Sequence, residues 1–438
     1  MSNQTGMIYD VDQKMELKKL ILYGVQWALF MVYGIIWAYS IIGVGTGLAG
    51  RDLTVFITNV VFTMGVSTLV QASIGHKLGA MSAPSAVPLL AVLSVVSLAG
   101  REYGFQAYNA FIIAGIIVAI LGFTGIIGYI RKVWTPLVLG SMVMSLGLSV
   151  MTLAASSLVS EGSGLFLVIG ILLALLCGFL SVKGKGILAT LPALFVLVIG
   201  YIIFIATGRF NWEIAQSMPA FTYPQPFPYG FSMPPVDLLI MMTIVALFNA
   251  MICYGNVQGI ASTVGASVDE KQFRKVFAVH GVVETSVGGI FGVPALVAYS
   301  ENIGYSILTK VASRYPIFIA GGLFVILSFI GKAVGFMAAI PSVLAGAILL
   351  GFASPLVAVG ASIWSGLKSF GTRETFICGF SLFLAMGLSS IGGEFWASTP
   401  QWLSTLLTTP SLATMLFVII LEQIVLRQKK EPEPAAEA

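Results

Sequence analysis

Charge is what this chain of 438 residues has least of: Asp, Glu, Lys and Arg together make up 9% of it, against about 25% in soluble domains. Hydrophobic residues supply 58% instead, which excludes the soluble classes and leaves a polytopic membrane protein. Histidine is nearly absent, with only His76 and His280 present. No His-Glu-x-x-His zinc motif can be built from them, and no nucleophile and base stand together, so a membrane enzyme fits poorly. The three cysteines, Cys177, Cys253 and Cys378, lie scattered in apolar runs. They offer neither a disulfide framework nor zinc spacing, and packing roles are expected of them. A Gly-x4-Gly-Lys-Ser/Thr phosphate loop is also missing, which argues against an ATP-driven pump. No cofactor and no metal is expected.

What the chain has in abundance is apolar runs of the length that crosses about 30 Å of hydrocarbon. They fall near 20–43, 53–73, 80–98, 107–129, 134–154, 164–182 and 187–207, then near 236–255, 276–296, 299–313, 316–339, 341–363, 374–392 and 411–426. The expectation is an all-α protein of fourteen spans, seven and seven. Residues 1–19 are polar, with acids and no cleavage site of small residues, so no signal peptide is expected. With the N-terminus cytoplasmic, eighteen of the 22 basic residues fall on inside segments, as short cytoplasmic loops require. The net charge of +4 then follows from topology and calls for no nucleic-acid partner. Both termini are placed in the cytoplasm of a cell with the chain in its plasma or inner membrane.

Closely spaced prolines at 208–235, including Pro234-Pro235, cannot continue a helix and divide the halves as an extracellular linker. The halves echo each other: Pro136-Leu-Val-Leu-Gly140 opens the fifth span and Pro341-Ser-Val-Leu-Ala-Gly346 the twelfth. Proline at a helix start is ordinary, so a second echo carries more weight. The third span contains Gly79-Ala-Met-Ser-Ala-Pro84-Ser85-Ala-Val-Pro88, and the approach to the tenth reads Gly292-Val-Pro294-Ala-Leu-Val-Ala-Tyr299-Ser300-Glu301-Asn302. Both mix helix breakers with small polar residues. An odd number of spans per copy inverts one copy relative to the other, as in many secondary transporters. Broken backbone at membrane depth is tolerated only against protein or a water-filled cavity, and half-helix N-termini there present positive dipole ends, with Ser85 and Ser300 as N-caps.

Glu301 stands in the second of these breaks. A carboxylate at bilayer depth costs roughly 3 kcal/mol even on lenient scales, so it marks a substrate or ion pathway. Around it the chain resembles the nucleobase-ascorbate transporter family, which includes uracil and xanthine permeases. The family signature is Gln, Glu or Pro, then Asn, any residue, Gly, four residues, Thr, and Arg, Lys or Gly. Glu301, Asn302, Gly304, Thr309 and Lys310 satisfy it, a match expected by chance roughly once in a thousand such chains. Gln26-Trp27 stands where many members carry Gln-His, and Ile340-Pro341 opens the twelfth span as theirs does.

The resemblance implies a core domain (20–130 and 236–339) that slides against a gate domain (131–207 and 340–426), and a homodimer through the gate. It implies a flat base held where spans three and ten break. Carried over, the backbone donors are Ala86 and Ser300, the side-chain acceptor and proton-coupling group is Glu301, and Tyr299, Asn302 and Gln26 lie nearby. The chemistry is consistent, because a carboxylate accepts a ring N-H and helix-start N-H groups donate to ring carbonyls. The chain departs from the family in the eighth span, where Ile252 replaces an acid tied to proton coupling, leaving protons or Na+ as the driving ion. Asn256 or Asn249, neutral residues of the same span, is expected to take over hydrogen bonding to the base. Loss of that acid, and of the bulky residue expected near Ala86, favours a purine such as xanthine, hypoxanthine or urate. An anion transporter or exchanger of the same architecture is the alternative, since positive helix ends suit anions, but Glu301 would repel them.

Other polar residues carry blander expectations. His280 and Glu284, four apart on one helix face, could serve a proton relay or cation site, but snorkelling or interhelical pairing near the basic loop is preferred. Lys332 and Glu422 are read as interhelical or interfacial. Trp212, Tyr223, Tyr229, Trp396 and Trp402 are assigned to an interfacial belt. The segment from Gly393 to Leu403 is read as a short interfacial helix, and 427–438 as a disordered cytoplasmic tail.

Overall fold

A chain in hydrocarbon must satisfy its backbone internally, and this one does so almost entirely by helix. The structure, a computed structural model, describes residues 7–126, 128, 133–186, 188, 191–367 and 369–428. The basic residues Arg131, Lys132, Lys368, Lys429 and Lys430, all on segments expected to be cytoplasmic, lie outside the described residues, as does the tail beyond 428.

Helix α1 (Leu17–Ala38) continues through a π-helical turn at Tyr39–Val44, and α2 (Gly50–Ser73) follows it. A three-residue strand β1 (Ser82–Pro84) then leads into α3 (Ala86–Thr124). This last is two helices joined at Gly100, whose φ of 82° and ψ of 170° only glycine adopts readily. The arms fold back closely, since a Cβ on Gly104 would come within 2.9 Å of the Val96 backbone. The expected third span is therefore a half helix that begins at Ala86 and ends at this reversal.

Next come α4 (Pro136–Ser149), α5 (Met151–Leu158), α6 (Gly164–Lys183) and α7 (Pro192–Ala206). The linker holds a short helix, α8 (Trp212–Ser217), so the reading of 208–235 as non-helical was incomplete. Asn59, buried in α2, ties that linker down by donating to the carbonyls of Gln225 and Phe291 at 2.9 and 2.7 Å. The second half begins with α9 (Val236–Thr263) and α10 (Glu270–Val279), which runs into a π-helical segment at His280–Val287. Strand β2 (Leu296–Ala298) and the short α11 (Glu301–Thr309) follow.

The expected eleventh span breaks at Ser328–Ile330 into α12 (Tyr315–Leu327) and α13 (Gly331–Ala338). Lys332 thus sits at the start of α13, exposed, with its ammonium on the Gln216 carbonyl at 2.9 Å. The chain closes with α14 (Ser342–Ser365), α15 (Thr372–Ser389), α16 (Gln401–Thr408) and α17 (Pro410–Ile420). Among the described residues seven helices are long and apolar enough to cross a membrane, and α16 with α17, bent by 92°, makes an eighth candidate. The other stretches expected to span are shorter or interrupted.

Helices α4, α5 and α6 pack on α14, and α17 packs on α4 and α15. Elsewhere α12 lies on α1 and α2, while α9, α10 and its π segment lie on α3. Glu422 does bridge helices, accepting from the Thr135 hydroxyl at 2.6 Å. The belt reading fails for two aromatics: Trp396 is buried, and Tyr229 stacks on buried Tyr108 at 5.3 Å. The three cysteines are buried and unpaired, as their apolar settings required.

Candidate binding site at the crossing of two broken spans

The two interrupted segments meet. Strands β1 and β2 pair antiparallel in the register Ser82 with Ala298, Ala83 with Val297 and Pro84 with Leu296. Two further bonds lengthen the pair: the Ser85 N-H reaches the Ala295 carbonyl at 3.0 Å, and the Tyr299 N-H the Met81 carbonyl at 3.3 Å. All six strand residues are buried. This pairing gives extended backbone at membrane depth the partners it would lack in lipid.

Each strand feeds a helix N-terminus, at Ala86 and at Glu301. Because the strands are antiparallel, the helices leave in opposite directions and both positive ends stay at the crossing. Ser85 and Ser300 occupy the N-cap positions as expected, yet neither side chain caps its helix. The Ser300 hydroxyl instead donates to Glu301 Oε2 at 3.1 Å. Neither half helix is therefore capped by its N-cap side chain; in α11 the Asn302 and Ile303 N-H groups are held by the Tyr299 and Ser300 carbonyls at 3.3 and 2.9 Å, while the positive ends of both helices still suit an acceptor-edged ligand.

Several expected contact residues are drawn into holding the strands. Asn302 is buried and accepts from the Met81 N-H at 3.1 Å while donating to the carbonyls of Met81 (3.0 Å) and Tyr299 (2.8 Å). The Tyr299 hydroxyl donates to the Pro84 carbonyl. From α9, Asn249 donates to the Leu296 carbonyl at 2.8 Å and Asn256 to the Ala298 carbonyl at 2.7 Å. The amide donors of Asn302 are therefore both engaged on backbone. Ser300 remains exposed, and Ala86, Glu301, Asn256 and Gln26 are half-buried.

The residue that sequence reasoning missed is Tyr33. Its hydroxyl faces Glu301 and its ring lies 5.5 Å from that of Tyr299. The signal was present, because Tyr33 stands seven residues after Gln26 and so on the same face of α1. Trp27, beside Gln26, is fully buried with its ring 4.1 Å from that of Tyr305, and props α11.

Behind the strands lies a second polar cluster, and here the snorkelling reading is overturned. His280 and Glu284 are wholly buried, with Nδ1 2.7 Å from Oε2. Gln71 of α2 donates to the same carboxylate oxygen at 2.9 Å. No head group of the pair reaches the surface, because the π-helical segment turns both side chains inward against α2, α3 and α9.

Residues 18–392 match a family profile described as a permease family, of the xanthine and uracil type. The chain belongs to that family. Curated relatives include the xanthine permease of Bacillus subtilis (strain 168), 25% identical with 93% of each chain covered. The uric acid permease PucK of the same organism is 27% identical, with 86% of this chain and 89% of that one covered. The uric acid transporter UacT of Escherichia coli (strain K12) is 26% identical over 96% of this chain and 89% of its own. Among solved structures, the transmembrane domain of a cyanobacterium bicarbonate transporter, BicA, superposes with a TM-score of 0.62 at 14% identity, covering 94% of this permease and all (100%) of that chain. The murine anion transporter Slc26a9, in the inward-facing state, gives 0.64 at 12% identity, covering 93% and 69%. At such identities the likeness is one of fold. The permease is a multi-pass membrane transporter and not an enzyme.

Proposed function

We propose that this permease carries a nucleobase, a purine such as xanthine, hypoxanthine or urate, across the plasma or inner membrane in symport with protons. The observation that carries the reading is Glu301, a half-buried carboxylate at the start of one half helix whose leading strand pairs with the strand that leads into the other. A base offers ring N-H groups to the carboxylate and carbonyls to the backbone N-H groups near Ala86 and Ser300. Tyr33 and Tyr299 supply aromatic walls. Asn302, Asn249 and Asn256 hold the strands that aim these groups, with Asn256 and Gln26 accessible enough to touch the ligand as well. Relatives named as xanthine and uric acid permeases support the substrate class.

In this reading residues 20–130 and 236–339 form a core that slides on a gate of 131–207 and 340–426, the gate also joining two copies into a dimer. Fourteen spans in two inverted sets, with both termini cytoplasmic, complete it. An anion such as bicarbonate is disfavoured, because the unpaired charge of Glu301 would repel it inside the site. The test is uptake of labelled xanthine, hypoxanthine, urate, guanine, adenine and uracil in cells lacking their own permeases, at two external pH values. Purine uptake that rises as external pH falls is expected. Indifference to every base overturns the reading.

A further inference from the structure

We propose that the buried His280–Glu284 pair is a second proton-binding site, seated behind the strand crossing. The proposal rests on the transport reading above and assigns the coupling proton a place beyond Glu301. Four observations meet there. The imidazole and carboxylate are 2.7 Å apart and both fully buried. They lie on a π-helical segment of eight residues, His280–Val287, whose widened turn is a feature common at functional sites. His280 Nε2 has no hydrogen-bond partner among the described residues. The Ser82 hydroxyl of β1 faces the Glu284 carboxylate, so the cluster touches the strand that ends in the Ala86 helix.

The proton count decides the chemistry. Neutral imidazole beside a carboxylate carries one negative charge; one further proton, on nitrogen or oxygen, makes the pair neutral overall. A fully buried net charge is the form that a moving core domain carries through hydrocarbon least readily, and the protonated pair is the form that travels. No other bond is made or broken. The proton comes from water on one side and returns to water on the other.

The surroundings offer few competitors. Among the described residues, the other titratable groups facing Glu284 are Cys253 of α9 and His76 after α2. The thiol, imidazole and carboxylate of Cys253, His280 and Glu284 lie within 4.8 Å of one another. From α3 the segment meets backbone, Gly115 lying against Gly281. His76 accepts from the Leu78 N-H on Nδ1 at 3.0 Å, so its neutral ring carries the proton on Nε2, a buried atom with no partner among the described residues. His76 precedes Lys77, placed by the charge bias on the cytoplasmic side. Gln71 lies between them, its Oε1 accepting from the His76 backbone N-H at 3.2 Å and its Nε2 donating to Glu284 at 2.9 Å, with no bond to the His76 ring. Loading the pair is felt in the site because Ser82 is registered with Ala298, whose carbonyl accepts from Asn256.

The test uses the full chain in proteoliposomes, with labelled xanthine as probe and a trapped pH dye. Wild type is expected to accumulate xanthine down a proton gradient with a matching pH change. Glu284→Gln is expected to keep substrate counterflow within about twofold, yet to lose gradient-driven accumulation and the pH signal at least tenfold. Glu284→Asp restores part of both, and His280→Gln behaves like Glu284→Gln. Unchanged accumulation and pH signal in Glu284→Gln overturns the proposal, as does loss of counterflow together with a lowered melting temperature, which marks a structural pair. If wild type shows no counterflow of any base, the substrate reading fails instead. The proton site is then decided without substrate: the pH-induced infrared difference spectrum of wild type is expected to contain carboxyl or imidazole bands that are lost in both Glu284→Gln and His280→Gln, over a Glu301 signal common to all three, and identical spectra overturn it.

Discussion

Glu301 and Glu284 are two carboxylates in one core, and their surroundings give them different work. Glu301 lies at an open helix start with Ser300 and Tyr33 beside it, where a ligand can reach it. Glu284 is enclosed and already holds an imidazole and an amide. Hydrogen bonds to a charged group contribute about 1.5–3 kcal/mol, so Glu301→Gln should weaken base binding roughly ten- to hundredfold. Equilibrium binding of labelled xanthine checks this, and uptake by the variant should also lose most of its dependence on external pH. Binding within twofold of wild type would remove Glu301 from the site. Tyr33→Phe keeps the ring and removes only the hydroxyl, so a smaller loss, about fivefold, is expected in the same assay.

At the scale of elements, the strand crossing depends on amides that reach backbone. Asn302→Ala removes three hydrogen bonds worth about 1 kcal/mol each and leaves buried backbone groups of Met81 and Tyr299 without them. A melting temperature lowered by several degrees in detergent is expected, together with loss of transport. The hairpin at Gly100 depends on close backbone contact. Gly104→Leu would force a side chain into Val96, and overpacking of this kind costs about 1–3 kcal/mol or more. Poor recovery of folded protein, measured by size-exclusion chromatography, is the expected outcome. The break between α12 and α13 escaped sequence reading because Ser328–Ile330 contains neither proline nor glycine. It is imposed from outside, where the Gly331 N-H meets the Ala220 carbonyl of the linker and the Thr222 N-H meets Phe329.

Over the whole molecule, the proposed sliding of core on gate must break contacts between them. One is the hydrogen bond from the Tyr39 hydroxyl to the Ile340 carbonyl at 2.8 Å. Tyr39→Phe should shift the balance between inward and outward forms by about fivefold, the equivalent of roughly 1 kcal/mol. Accessibility of a single cysteine introduced at Ser300, probed from each side of the membrane, reads that shift. Equal labelling in both proteins would show that this contact does not bias the movement.

Composition alone settled that the chain lives in lipid, and the paired breakers around Pro84 and Pro294 with the signature at Glu301–Lys310 located the crossing. These were legible because each is a local property: an apolar run must be helical in hydrocarbon, and proline must interrupt it. The sequence could not reveal that Asn302, Asn249 and Asn256 turn to the strands, that Tyr33 faces Glu301, or that His280 and Glu284 are sealed inside. Those outcomes depend on which backbone carbonyls and rings arrive from segments tens to hundreds of residues away. A polar side chain in a membrane core goes to whatever partner packing delivers, and only the tertiary structure decides that.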